Sequence, residues 1–237
     1  MINNFYDKLK PFRFRLTIIG LLAGASLISI ALFRFRTKIS GNLDYDFLVW
    51  NLFLAWLPLG MSYIASSFAN KRRFVAITLP IAAILWLLFF PNAPYIVTDL
   101  FHLRHPREGV PIWFDTLLIN WFAWTGVLLG VFSLFIMHDI VRKAFGHITG
   151  WVFVLAVGTL CGVGIYIGRF LRWNSWDVIL NPYDRLREML YYAMHPSMQS
   201  IMFISVFSSL FVFIYITTYT FGLLFHEQAQ PISQDIS

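Results

Sequence analysis

Charge is scarce in this 237-residue chain: Asp, Glu, Lys and Arg make up 13% of it, against about 25% in an ordinary soluble domain. With 58% of the residues hydrophobic, that scarcity excludes a soluble globular protein. Cysteine is nearly absent. Cys161 stands alone inside an apolar run, which excludes an intramolecular disulfide and a cysteine metal cluster and leaves the redox compartment unread. There is no Walker loop, no nucleophile elbow and no glycine fingerprint following a strand, so the common soluble-enzyme signatures are missing. No internal repeat is visible.

Aromatics, in contrast, reach 19%, Phe alone supplies 25 residues, and the mean hydropathy is +0.67. Disordered and collagen-like readings fail on that composition. The fold class expected is all-α: a polytopic transmembrane helix bundle forming one domain over 1–237, with short interfacial helices and a mobile tail after 225. A hydrocarbon core takes roughly 17–25 apolar residues per helix, and six stretches qualify, at 16–33, 46–68, 74–90, 112–137, 149–171 and 199–225. The first follows Lys8, Lys10, Arg13 and Arg15 in the manner of a signal peptide. Its apolar part is too long for one and ends at Arg34, Arg36 and Lys38, as a retained helix does. The net charge of +6 would suggest nucleic acid in a soluble protein. Here the cations flank apolar segments, so the partner is the lipid bilayer and not nucleic acid.

Two loops do not read as plain connectors. The third apolar run ends in Phe90-Pro91-Asn92-Ala93-Pro94-Tyr95, where the prolines free the carbonyls of Leu87 and Phe90. Pro91, Asn92 and Pro94 thus mark a structural break. Either protein or a water-filled cavity satisfies it at membrane depth, or it is a helix terminus in the interface. Read at 100° per residue, the following segment places Tyr95, Thr98, Asp99, His102 and His105 in one arc of roughly 120°. Asp99 and His102, at i and i+3, can meet. Asp115 follows the helix-initiating Pro111 close to the same face.

The second loop follows the fifth helix. Gly158, Gly162, Gly164 and Gly168 let another backbone approach, and Arg169 and Arg172 are expected on one face beside Asn174 and Asp177. The two guanidiniums either hold a phosphate or carboxylate or snorkel to headgroups beside Trp173 and Trp176. Asn181-Pro182 then starts a helix towards Met194 that carries too many charges to span, so it is expected to lie in the interface. Asn51 is read as joining two helices by a hydrogen bond. His138 and Asp139 are read as a solvated helix end.

The Trp50–Pro58 run, the Phe90–Tyr95 break with Asp99-Leu100-Phe101-His102-Leu103, Pro111–Asp115 and Gly168–Asp177 resemble the family catalogued as domain of unknown function 1361 over roughly 42–180. The resemblance implies a bacterial multi-helix membrane protein, hence a bacterial inner-membrane location, and brings no activity or catalytic residues.

The site expected from the residues joins His102 as acid or base, Asp99 as its orienting partner, Asp115 or Asp177 as a second carboxylate, and Arg169, Arg172 and Asn174 as an anion clamp for a lipid headgroup or small anionic ligand. Asp99, His102, His105 and Asp115 are the donors a metal would use, though no specific zinc motif is present. None of these residues specifies a cofactor. A small-solute transporter built on the broken third helix, and a non-catalytic assembly protein, are the competing readings.

Lys and Arg divide evenly between the two membrane faces, and the tight Lys71-Arg72-Arg73 flank of a short loop favours termini in the cytoplasm. Single cysteines introduced by Ser40→Cys and Gly109→Cys are therefore expected to react with a membrane-impermeant thiol reagent added outside intact cells; labelling only after lysis would reverse the orientation.

Overall fold

The structure, a computed structural model, describes residues 2–68, 72–104, 109–173 and 180–228. His105, Asn174, Asp177 and the last nine residues lie outside these. Among the described residues there is no strand. The helices are α1 (Ile2–Ser40), α2 (Asp46–Phe68), α3 (Arg72–Phe89), α4 (Asn92–Tyr95), α5 (Ile112–Phe145), α6 (His147–Tyr166), α7 (Pro182–Met194) and α8 (Met198–Gln228). A 3-10 segment, Ile96–Arg104, follows α4, and a π-helical turn, Ile167–Leu171, follows α6. Six stretches are long and apolar enough to cross a membrane: Leu16–Ser40, Asp46–Phe68, Pro80–Leu103, Ile112–Phe145, His147–Leu171 and Met198–Leu224. The chain is a multi-pass membrane protein.

The expected spans are right in number, and three of their ends move. α1 continues past Phe33 to Ser40, so Arg34, Arg36 and Lys38 are helical rather than a flank. α5 runs beyond Met137 to Phe145 and takes His138 and Asp139 into its body. The third span extends through the proline break to Leu103. The first two shifts have one cause: polar residues end an apolar run in the sequence, but the helix continues where tertiary partners answer Arg36 and His138.

The chain divides into two compact units, one made of residues up to Leu59 with Asn92–Gly130, the other of Gly60–Pro91 with the chain from Val131 onward. In the first unit, two indoles tie α1 to its neighbours. Trp56 Nε1 donates to Ser26 Oγ at 3.1 Å and Trp121 Nε1 to the Ala25 carbonyl at 3.1 Å. Without water these donors need protein acceptors, and a serine hydroxyl and an already bonded carbonyl supply them. Gly126 of α5 receives the start of α4. A Cβ there would collide with the Ala93 carbonyl oxygen and come within 2.9 Å of Ile96 Cδ1.

In the second unit, Trp86 of α3 is buried and donates to Ser133 Oγ of α5 at 2.7 Å, with Phe90 against its ring at 4.5 Å. α6 packs along α8. Gly158 faces Val212 and Gly162 faces Ser208 Oγ and the Ile204 carbonyl, each closely enough that a Cβ would collide. Gly164 faces Pro91. Small residues are thus used as expected, to bring backbones together where lipid offers no hydrophobic drive.

Gly126→Val is expected to lower the unfolding free energy in detergent by roughly 1–3 kcal/mol, the cost of overpacking a closed contact. Gly24→Ala, where a Cβ meets nothing within 4 Å, is expected to leave it unchanged or raise it. Equal losses from the two substitutions would show that the Gly126 contact is not tight.

Candidate functional site

The polar residues of the first unit gather at two neighbouring places, and the 40–47 stretch, from the last residue of α1 into the first turn of α2, touches both. The first is centred on Arg36, whose side chain is fully buried. Its Nε donates to Asp115 Oδ1 at 3.0 Å and its Nη2 to Asp115 Oδ2 at 3.4 Å. Nη1 donates to Asn42 Oδ1 at 2.6 Å and Ser40 Oγ at 3.2 Å, and Asp44 lies 3.7 Å from Nη2. The guanidinium carbon sits 4.5 Å over the Tyr45 ring. A planar fork of five donors suits this enclosure: one carboxylate takes two bonds, the turn takes the rest, and an aromatic face covers the plane.

The second place lies on the 3-10 segment. The expected α-helical arc is corrected here. With three residues per turn, i and i+3 eclipse, so Ile96, Asp99 and His102 form one row and Tyr95, Thr98 and Phe101 another. Thr98 Oγ1 donates back to the Tyr95 carbonyl at 2.7 Å, and His102 Nδ1 meets the Asp99 carbonyl at 3.1 Å. Both are i to i−3 returns, which support the tighter helix. The row climbs outward: Ile96 and Asp99 are buried, while a third of the His102 side chain is exposed. Asn51 Nδ2 donates to Asp99 Oδ2 at 2.9 Å, the helix-joining bond expected of it. The other carboxylate oxygen lies 3.9 Å from His102 Nδ1. Phe47 packs on the imidazole at 4.5 Å between ring centres and meets Tyr45 edge-on at 6.0 Å.

One consequence is chemical. The partner of His102 Nδ1 is a carbonyl oxygen, which only accepts, so Nδ1 carries a proton and in the neutral ring Nε2 holds the lone pair. Nε2 has no partner among the described residues.

The remaining expected residues are distributed as follows. Asp99 and His102 meet; Asp115 is held by Arg36. Among the described residues no three His, Cys, Asp or Glu side chains gather as metal ligands would, so Asp99, His102 and Asp115 do not form the donor set considered for a metal. Arg169 and Arg172 stand on the second unit. The shared face expected for them is not the geometry found. Arg169 is part of the π-helical turn and Arg172 leaves it in the left-handed conformation at φ 59°, so the α-helical i, i+3 alignment is lost. The helix is interrupted at Phe90 and Pro91, and resumes at Asn92 with Ala93 and Pro94 buried.

The sequence reading missed Arg36, which looked like one basic flank among several. It also misplaced His138, which is buried rather than solvated: Nδ1 lies 2.7 Å from the Tyr215 hydroxyl, and Trp151 and Tyr219 enclose the ring. The signals available were Arg36 separated from the apolar run ending at Phe33 by Arg34 and Phe35, and glycine at position 150.

The model of the family described as protein of unknown function (DUF1361) matches residues 50–216. The chain belongs to this family. The match reaches further along the chain than the motifs that first suggested it, taking in α7 and α8 as far as residue 216, and so includes Asn51, Asp99, His102, Asp115 and the His138–Tyr215 pair. Arg36 lies before it. Neither the comparison with curated proteins nor that with solved structures gives a match.

For this DUF1361 protein the buried ion pair makes a sharp expectation. Arg36→Met leaves Asp115 without its cation and is expected to cost about 3–5 kcal/mol, whereas Arg36→Met with Asp115→Leu is expected to recover most of the loss. Reversible unfolding in detergent measures both. A double variant no better than the single one would show that Arg36 acts through the 40–47 turn alone.

Proposed function

We propose that this membrane protein binds, and exchanges a proton with, a polar or anionic group presented at one membrane face, a lipid headgroup or a small anion, through His102. The observation that carries the reading is the 3.1 Å contact of His102 Nδ1 with the Asp99 carbonyl, an acceptor that calls for the proton on Nδ1, with Nε2 without a partner among the described residues. Asp99 orients the ring through its carbonyl, and Asn51 holds the Asp99 carboxylate in place beside it. Asp115, engaged by Arg36, supports the connection that carries Phe47 and is not the second acid of this reading. Arg169 and Arg172 are headgroup-level cations of the second unit, beside Trp173.

The test is imidazole nitrogen NMR on the detergent-solubilised full chain, with His102→Gln to assign the signal among the six histidines. The neutral ring of His102 is expected to be protonated on Nδ1, and its signals to move saturably with inorganic phosphate and with a short-chain phosphatidylglycerol. Movement with both identifies the phosphate group as what is recognised; movement with the lipid alone identifies the headgroup. A neutral ring protonated on Nε2 would overturn the proton-exchange role, and no movement with either ligand would overturn the anionic one. Solute flux in sealed vesicles that survives His102→Gln and Asp99→Asn would put transport in its place.

A further inference from the structure

α7 takes no part in the site above, and its connections restrict where it can be. It joins the span ending at Leu171 to the span starting at Met198, so both its ends are tethered to points where the chain enters the bilayer. Arg185 reaches back to the first of these, its guanidinium carbon 4.8 Å over the ring of Trp173. Thirteen residues rise about 20 Å, short of the roughly 30 Å of a hydrocarbon core. Asp184, Arg185, Arg187 and Glu188 would in any case be too costly inside it.

The helix is sharply two-sided. Tyr183, Leu190 and Met194, at i, i+7 and i+11, line one side and are 77%, 54% and 69% exposed; the described protein does not cover them. Asp184 and Glu188, at i and i+4, line another side, where Arg185 donates to Glu188 at 2.9 Å. An apolar row held at a membrane surface and left bare by the protein has the acyl boundary beside it.

We infer that α7 lies flat in the interfacial layer, with Tyr183, Leu190 and Met194 sunk towards the acyl chains and the Asp184–Glu188 edge towards water. Its occupant is the bilayer itself. The two acids and two bases of the helix cancel, so the attraction is apolar and aromatic and does not need anionic lipid. Trp173, Tyr183, Tyr191 and Tyr192 supply the amphipathic rings that settle at headgroup level.

The experiment is nitroxide scanning of the reconstituted full chain. Spin labels are placed by Leu190→Cys, Met194→Cys and Glu188→Cys, one at a time, with Cys161→Ala; the native Cys161 thiol is buried, so the same labels with Cys161 retained serve as a check on folding. In phosphatidylcholine vesicles, labels at 190 and 194 are expected to collide with oxygen and be shielded from a water-soluble nickel chelate. The label at 188 is expected to do the reverse. Adding phosphatidylglycerol is expected to leave the pattern unchanged. Nickel access at all three positions would place the helix in water and overturn the inference. Shielding of 190 and 194 from both reagents would show that protein, a second copy or a partner, covers the face. A contrast seen only with phosphatidylglycerol would mean charge recognition in place of apolar burial.

Discussion

A hydrocarbon surround offers no hydrogen bonds, so every polar group on a spanning helix must find its partner within the protein or at a surface. Arg36 is where that constraint bears hardest. It is the one fully buried cation among the described residues, and satisfying it recruits α5 through Asp115, the turn after α1 through Ser40 and Asn42, and the ring of Tyr45. Those contacts fix the 40–47 connection. Phe47 at its end then has a set position against the imidazole of His102. The ion pair is therefore less a source of stability, since burying charge costs about what the pairing returns, than a device that holds one particular connection in one particular shape.

The same constraint explains how much of the molecule was legible in the residues. Apolar length is a direct readout of membrane thickness, so six spans are visible without any knowledge of packing. The glycines of α6 are legible too, because only a missing side chain admits Val212, Ser208 and Pro91 so closely. Helix ends are a different matter. Arg36 and His138 each look like the point where an apolar run stops, and each lies inside a helix because a partner far along the chain answers it: Asp115 is 79 residues from Arg36, and Tyr215 is 77 from His138. No local signal carries that information.

Backbone geometry was the other hidden quantity. Pro91 and Pro94 announce an interruption, but not that the chain resumes as a 3-10 helix in which Asp99 and His102 eclipse. The pairing expected at i, i+3 survives this change, since both helix types bring those positions together; the wider arc joining Tyr95 and Thr98 to them does not. For Arg169 and Arg172 the same spacing fails, because the turn between them widens to a π-helix and ends in a left-handed residue. Spacing rules hold only as well as the helix type they assume.

Two histidines show what separates a structural group from a chemical one. His138 is enclosed by Trp151, Tyr215 and Tyr219, and its Nε2 faces Gly150 so closely that a Cβ there would come within 2.9 Å. That nitrogen has no hydrogen-bond partner among the described residues and is shut off from solvent. Its cost is borne by the packing that joins α5 to α8. His102 is arranged the other way. One nitrogen is tied to a carbonyl of its own helix, the carboxylate below is held by Asn51, and the ring is partly open. An imidazole closed off from solvent is a packing group between helices; a half-buried one, with one nitrogen tied and the other without a partner among the described residues, keeps a polar atom for what lies outside. The family match includes both, so the difference between them lies in their surroundings and not in their belonging to the family core.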